Sequence, residues 1–297
     1  MRLAVVANPA SGGGKGAGHI KTVAGLLREL DIPHELLVSR GPEEPERLAR
    51  EAANAGADVV AALGGDGLVG MVANGLVGTD TAMAVLPGGS GNDFAHMLEL
   101  RTLGEAARLL AHPRFETIDV GRIESSDGVR HFVCVAGMGF DSEVNEVANR
   151  IHRLRGKPKY VSAVLRGLAR YRPVEFRITV DGESVLGEDA MLVAVGNARS
   201  YGGGMQVCPD ASLTDGALDV TVVRAMSRRS FVATFPRVFK GTHVSHPAVR
   251  TFRGAGIRVE ADRPFQVYAD GDPAGTLPAN ISVIPRALKV VIPWQTA

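Results

Sequence analysis

Three glycine clusters, each directly behind a short apolar run, constrain this 297-residue chain more than any other feature. The runs are Arg2–Ala7, Asp58–Leu63 and Ala82–Leu86. The clusters behind them are Asn8-Pro9-Ala10-Ser11-Gly12-Gly13-Gly14-Lys15-Gly16, Gly64-Gly65-Asp66-Gly67 and Pro87-Gly88-Gly89-Ser90-Gly91-Asn92-Asp93. Short continuous apolar runs bounded by glycine read as strands buried on both faces. Between them lie segments with helical spacing: Ile20–Leu30 with Val23, Leu26, Leu27 and Leu30, the charged Pro42–Ala55, Val69–Leu76 and Leu103–Ala111. His34–Ser39 supplies a further strand. Strands alternating with helices predict a parallel α/β sheet. In such sheets ligands bind at the C-terminal ends of the strands, where all three clusters fall, with Asn8 to Gly18 read as loop.

The pattern changes near residue 117. From there to about 285 the apolar runs are short and strand-like: Phe132–Ala136, Phe176–Val180, Met191–Val195, Leu218–Val223, Ile257–Val259 and Gln266–Ala269. Helical stretches are predicted at about 142–170 and 229–240. The chain therefore reads as an α/β N-terminal domain followed by a mainly antiparallel β domain. An apolar fraction of 45% and a charged fraction of 22% exclude a disordered chain. A net charge of +1 gives no nucleic-acid footprint. Cys134 and Cys208 stand alone among apolar residues with no CxxC spacing, which excludes a disulfide scaffold and gives zinc no ligand set. They read as reduced core residues. The N-terminus lacks the pattern of a signal peptide, and no segment approaches the ~18 apolar residues of a membrane span. A cytoplasmic protein with at most peripheral contact at the inner membrane face is expected.

Glycine loops of this kind suit phosphate, because backbone N–H groups can approach an oxyanion closely where no Cβ intervenes. A following helix N-terminus adds a favourable dipole. Ser11 and Ser90 can donate hydroxyl hydrogen bonds and Lys15 can neutralise phosphate charge. Asp66 and Asp93 would repel phosphate, so they make sense as ligands to Mg²⁺ or its waters. One such cluster reads equally well as a turn; three on one sheet edge read as a cradle. None is a GxxxxGK[ST] loop and none is a GxGxxG. Further along, Asp270 follows a strand-like run and precedes Gly271. A carboxylate there can accept the proton of a hydroxyl undergoing phosphoryl transfer, and an Asp-Gly hairpin turn is the alternative.

The three clusters together, the third extended through Phe94-Ala95, resemble the diacylglycerol kinase catalytic-domain family. That family includes soluble bacterial lipid kinases and sphingosine kinases and is distantly related to NAD kinase and phosphofructokinase. The resemblance continues through Ala136-Gly137-Met138-Gly139-Phe140-Asp141, Gly196-Asn197, Tyr201-Gly202-Gly203-Gly204-Met205, Pro209-Asp210-Ala211, Asp215-Gly216-Ala217-Leu218-Asp219, Asp270-Gly271-Asp272 and Pro285-Arg286-Ala287-Leu288. It implies a nucleotide-binding domain over 1–120 with a last strand returning at 281–297, and a β-sandwich lipid domain over 121–280. The activity implied is ATP-dependent transfer of the γ-phosphate to a lipid hydroxyl, diacylglycerol first, giving phosphatidic acid. ATP and Mg²⁺ are the implied cofactors and a membrane lipid the implied partner; a homodimer through sheet edges is compatible with the fold. Nucleotide contacts are expected from Asn8, Ser11, Gly12, Lys15, Ser39, Gly64, Gly65, Asp66, Gly67, Gly89, Ser90, Asn92 and Asp93. The resemblance makes Asp270 the general base and maps a structural Mg²⁺ onto the Ser212 carbonyl, the Asp215 carboxylate and the Ala217 carbonyl.

The chain also departs from that pattern. In the second loop, Leu68, Gly70 and Met71 stand where the family usually has Thr, Asn and Glu, so a phosphate contact and part of the metal network are expected to be missing. Asp272 replaces a Glu, and Ser90 replaces a Thr while keeping its hydroxyl. These changes favour a second reading, a catalytically impaired lipid- or nucleotide-binding member. NAD kinase shares the GGDG loop but not the match through Pro285–Leu288. Arg150, Arg153, Arg155, Lys157, Lys159, Arg166, Arg170 and Arg172 form a basic stretch with no acid between Glu146 and Glu175. It reads either as a membrane-facing surface or as a solvated face. His243 and His246 have metal-like spacing but no third ligand, which favours a loop. Gly137 and Gly139 read as a tight turn between domains.

Overall fold

The apolar runs that precede the glycine clusters form the buried strands β1 (Leu3–Ala7), β3 (Val59–Gly64) and β4 (Ala82–Pro87). Every residue in these strands is buried, as a sheet covered on both faces requires. In the computed structural model, which describes residues 1–41, 43–140, 171 and 173–294, β2 (His34–Val38) lies parallel to β1 at the sheet edge. Next to β1 comes β3, then β4, all parallel. The end of β15 (Ala279–Ile292) joins β4 through Val290 and Met83. Leu36 and Val38 of the edge strand are exposed. Helix α1 is a single turn, Ser11–Gly14, and α2 spans Gly16–Glu29. Loop one is thus largely helical rather than open to Gly18: few residues separate strand and helix, so the chain begins to coil at once. Val23 and Leu27 of α2 are buried, each stabilising by about 2 kcal/mol. Helices α3 (Glu44–Asn54), α4 (Asp66–Leu76), α5 (Asp93–Met97) and α6 (Leu103–Leu109) complete this unit.

Contacts divide the chain into Met1–Asp119 with Pro285–Ala297, and Val120–Ile284. The second unit is antiparallel. Its central strand β9 (Glu183–Gly196) pairs with β8 (Val174–Val180) over its first half. Its second half pairs with β7 (Val135–Gly139) and β10 (Leu218–Arg224). Outward from these lie β11 (Val249–Gly254), β12 (Gly256–Ala261), β13 (Gln266–Ala269) and β14 (Asp272–Thr276). Strand β5 (Arg114–Ser125) crosses into this unit and forms a hairpin with β6 (Gly128–Phe132). The core includes Phe132, Phe176, Ile178, Val193, Val195 and Val220. Gly137 and Gly139 lie in β7 rather than in a turn, because β9 and β13 hold that segment extended. The helix expected over 229–240 is α7 (Arg228–Thr234), capped by the Ser227 side chain, followed by 3-10 turns at Phe235–Lys240 and Thr242–Ser245. Cys134 and Cys208 are free and buried, and burial pushes the Cys208 thiol up to about 12. The predicted helix at about 142–170 and the basic residues from Arg150 to Arg172 lie outside the described residues.

Candidate functional site

In the first unit the three glycine loops meet at the C-terminal ends of β1, β3 and β4. A Cβ on Gly89 would lie 2.4 Å from the Gly65 Cα, so loops two and three touch backbone to backbone. Gly88 N–H donates to the Gly64 carbonyl at 2.8 Å. A Cβ on Gly16 would lie 2.3 Å from the Asn8 oxygen, so loop one needs glycine where it folds back on itself. Two expected ligand residues turn out to shape their own loops. Asn8 accepts the Ala10 N–H at 2.8 Å. Asn92, at φ 55°, accepts the Gly89 N–H at 2.8 Å and donates to the Gly89 carbonyl at 3.1 Å. Lys15 and Ser90 are exposed, and Ser11 is half-buried. Ser39, at the end of β2, is buried, and its N–H donates to Ala7 at 2.8 Å while its hydroxyl has no hydrogen-bond partner.

Asp66 and Asp93 open α4 and α5 and stand together. The Asp66 carboxylate accepts the Phe94 N–H at 3.2 Å, which caps α5. Burial, and then the Asp93 charge, push the Asp66 carboxyl up to about 6, against backbone N–H groups of Phe94, Asp93 and Asn92. Asp93 is 2% exposed. Two carboxylates held this close relieve their repulsion by binding a proton or a cation. Leu68 is buried, its side chain against Gly64. Sequence reasoning passed over His19 of α2. Its Nδ1 is buried without a partner, 3.0 Å from where a Gly88 Cβ would stand. One turn into the helix behind loop one, its position was the available signal.

In the second unit Asp270 is 7% exposed and sits at φ 52° in the two-residue turn joining β13 to β14. Its carboxylate accepts N–H bonds from Val133 and Cys134, both at 2.8 Å, and from Val135 at 3.2 Å. It therefore ties the hairpin to the start of β7. Asp272 opens β14, where desolvation raises its carboxyl and Arg130 opposes the shift. Tyr201 and Met205 bond to each other across the Gly202–Gly204 turn at 3.2 and 3.1 Å. Both line an apolar pocket with about 590 Å³ of empty space, its mouth included, walled further by Phe140, Phe231, Phe235 and Val238. Phe140 meets Tyr171 and Phe231 edge to face at 5.3 and 5.2 Å between centroids.

A model of the diacylglycerol kinase catalytic domain matches residues 2–123. A model of the YegS C-terminal NAD kinase beta sandwich-like domain matches residues 134–292. The chain is 38% identical over 295 residues to a diacylglycerol kinase of Mycobacterium tuberculosis (strain ATCC 25618 / H37Rv), covering 98% of this chain and 95% of that one. The chain belongs to the diacylglycerol kinase family. Another relative, diacylglycerol kinase of Bacillus subtilis (strain 168), is 27% identical over 301 residues, with 100% and 98% of the two chains covered. Among solved structures, a diacylglycerol kinase from Bacillus anthracis str. Sterne superposes with a TM-score of 0.74 at 21% identity, covering 98% and 96%. An NAD kinase from Archaeoglobus fulgidus superposes with a TM-score of 0.53 at 14% identity, covering 98% and 93%. The expected architecture stands: a parallel α/β domain and an antiparallel β-sandwich.

Kinases of this family imply a nucleotide and a divalent cation, and the two candidate cation sites differ in fit. Asp66 and Asp93 fit: the carboxylate pair would offer hard oxygen ligands to a divalent cation. The loop at Ser212, Asp215 and Ala217 offers hard oxygens, but its one carboxylate is engaged. Asp215 pairs with Arg253 and accepts the Ala217 N–H at 3.1 Å. Burial raises the neighbouring Asp219 carboxyl; Arg253 opposes this, and Asp215 and Asp210 add to it. The guanidinium supplies the positive charge here, so these residues as arranged do not fit a metal. Among the described residues no three His, Cys, Asp or Glu are grouped to hold one, and no helix is long and apolar enough to cross a membrane.

Proposed function

We propose that this member of the diacylglycerol kinase family transfers the γ-phosphoryl group of ATP to the hydroxyl of a membrane lipid, diacylglycerol first. The observation that carries the reading is the Asp66–Asp93 pair set between three glycine loops at one sheet edge. Backbone N–H groups of the loops, with Lys15, Ser11 and Ser90, would cradle the phosphates, and the unpartnered Ser39 hydroxyl would bond the nucleoside. Asp66 and Asp93 would hold a divalent cation, which neutralises charge on the transferring phosphoryl group. The lipid hydroxyl attacks phosphorus and ADP leaves; the hydroxyl proton goes to a carboxylate, the role that the family resemblance gives to Asp270. The apolar pocket of the second unit suits an acyl chain. Contact with the membrane is peripheral in this reading.

The test is transfer of labelled γ-phosphate from ATP with Mg²⁺ to diacylglycerol, monoacylglycerol, sphingosine and phosphatidylglycerol in mixed micelles, with Asp66→Asn as control. Product on one lipid that disappears in the variant supports the reading. ATP binding without product on any lipid favours an impaired, binding-only member, for which buried Leu68 in place of a loop hydroxyl is the specific observation.

A further inference from the structure

An imidazole ring is set into the wall of the apolar pocket. His243 is 4% exposed and lines the pocket. Its Nε2 lies 3.2 Å from the Val207 carbonyl oxygen. A carbonyl only accepts, so Nε2 carries the proton and the neutral ring presents a lone pair at Nδ1. That Nδ1 is buried and has no hydrogen-bond partner. Burial lowers the affinity of the ring for a second proton; the Val207 bond opposes this and Arg237 adds to it. His246 does not relieve the vacancy. Its Nδ1 accepts the Ala248 N–H at 3.1 Å, and its Nε2 lies 3.4 Å from the Ser230 hydroxyl. A phenylalanine would fill the same wall without leaving a buried acceptor bare, a state that disfavours folding. Thr234, also buried, lines the same pocket. A ligand hydroxyl, which both donates and accepts, finds polar groups there.

We propose that His243 Nδ1 accepts a hydrogen bond from a donor carried within the hydrophobic part of the lipid, so that the pocket selects a hydroxylated chain over the plain hydrocarbon. This rests on the reading of the pocket as the site of the lipid chain. Selectivity follows from asymmetry: a plain chain leaves the lone pair buried and bare, whereas a hydroxylated chain satisfies it. The difference corresponds to about tenfold in affinity.

The experiment is competition on the full-length chain between a bound fluorescent fatty acid and two sets of probes. These are octadecanoic acid and a positional series of hydroxyoctadecanoic acids. At one hydroxyl position the wild type binds about tenfold more tightly than it binds octadecanoic acid. In His243→Phe the ratio falls to one while octadecanoic acid still binds. In His243→Gln, whose side-chain carbonyl can accept in place of Nδ1, the preference survives in part. Octadecanoic acid bound with no preference at any hydroxyl position in the wild type overturns the role of His243 and leaves the chain site standing. A preference that persists unchanged in His243→Phe overturns it as well. Binding of neither acid overturns the chain site itself, and this inference with it.

Discussion

Asp270 is where the implied chemistry and the observed packing make separable claims. Its carboxylate accepts three backbone N–H bonds inside the second unit, from Val133, Cys134 and Val135. In Asp270→Asn one side-chain oxygen remains. It can serve Cys134 and Val135, and the amide N–H groups then face the Val133 N–H, donor against donor. The loss is one charge-assisted bond and one buried donor left unsatisfied, about 2–4 kcal/mol. For a domain of this size that lowers Tm by roughly 10 °C. Asp270→Ala strands all three N–H groups and places a Cβ residue without a turn-forming side chain at φ 52°. It costs about 5 kcal/mol or more, comparable to a domain's whole stability. The assay is thermal unfolding by circular dichroism, paired with phosphotransfer measured well below both midpoints. If Asp270 is also the proton acceptor, the folded Asp270→Asn protein loses about 10²–10⁴-fold in kcat with its KM for ATP unchanged. Were it only an anchor, activity would track the folded fraction. An Asp270→Asn midpoint within a degree of wild type would refute the anchoring argument outright.

Three further outcomes follow from the same geometry. Asp66 has a folded value raised from 3.8 to about 6. The folded protein therefore binds the extra proton between those values, and the ionised group destabilises fully only above about pH 6. Asp66→Asn should gain up to about 3 kcal/mol in EDTA at pH 8, gain nothing near pH 3.5, and lose phosphotransfer; a midpoint difference independent of pH refutes this. His243 has a lowered folded value, so the unfolded chain takes up a proton first as pH falls below its ordinary 6.5. Stability should decline below that pH and the decline should be shallower in His243→Gln, measured as Tm from pH 8 to 5; equal slopes count against the buried neutral ring. Leu68→Thr should lower the KM for ATP by supplying the missing loop hydroxyl while costing about 1–2 kcal/mol of buried apolar contact. An unchanged KM would show that the position does not reach the phosphates.

Much of this was legible because parallel strands covered on both faces need continuous apolar runs, and β1, β3 and β4 have them. The strand β5 was not legible. Its sequence, Arg114 to Ser125, mixes Glu116, Asp119 and Arg122 among its apolar residues, because its ends are exposed and the buried Asp119 accepts the Arg286 N–H at 2.8 Å. The turn at Ser11–Gly14 was hidden by three consecutive glycines, which propensity alone would never place in a helix. Residue type pointed to the carboxylates at 66, 93 and 270, but not to what they touch. Nothing in the spacing of Asp270 announces the three N–H groups of residues far earlier in the chain. Nothing in Asp215-Gly216 announces Arg253. Pairing across long separations decides whether a carboxylate can take a proton or a metal, and that is a property of the folded register.

Some of the groups that remain unfavourable for folding belong to residues the proposed reaction would use, although Asp219 Oδ2 and Arg224 Nε, which it does not use, are also buried without partners. In the first unit, the Ser39 hydroxyl and His19 Nδ1 are buried without partners. Asp66 there is held against Asp93. In the second unit, His243, whose Nδ1 is buried without a partner, lines an apolar pocket. A chain selected only for stability would replace each of these with an apolar or paired group, since each costs about 1–3 kcal/mol against a margin of roughly 5–15. Local rules broken without structural compensation mark sites where a ligand supplies the missing partner. The Asn92 amide, by contrast, is bonded at both ends within its own loop, and the Asn8 side-chain oxygen accepts the Ala10 N–H. Ser39, His19, Asp66 and His243 are where nucleotide and lipid would complete the structure. Saturating the protein with ATP, Mg²⁺ and lipid should therefore raise Tm more in the wild type than in a chain where those four positions have been made apolar.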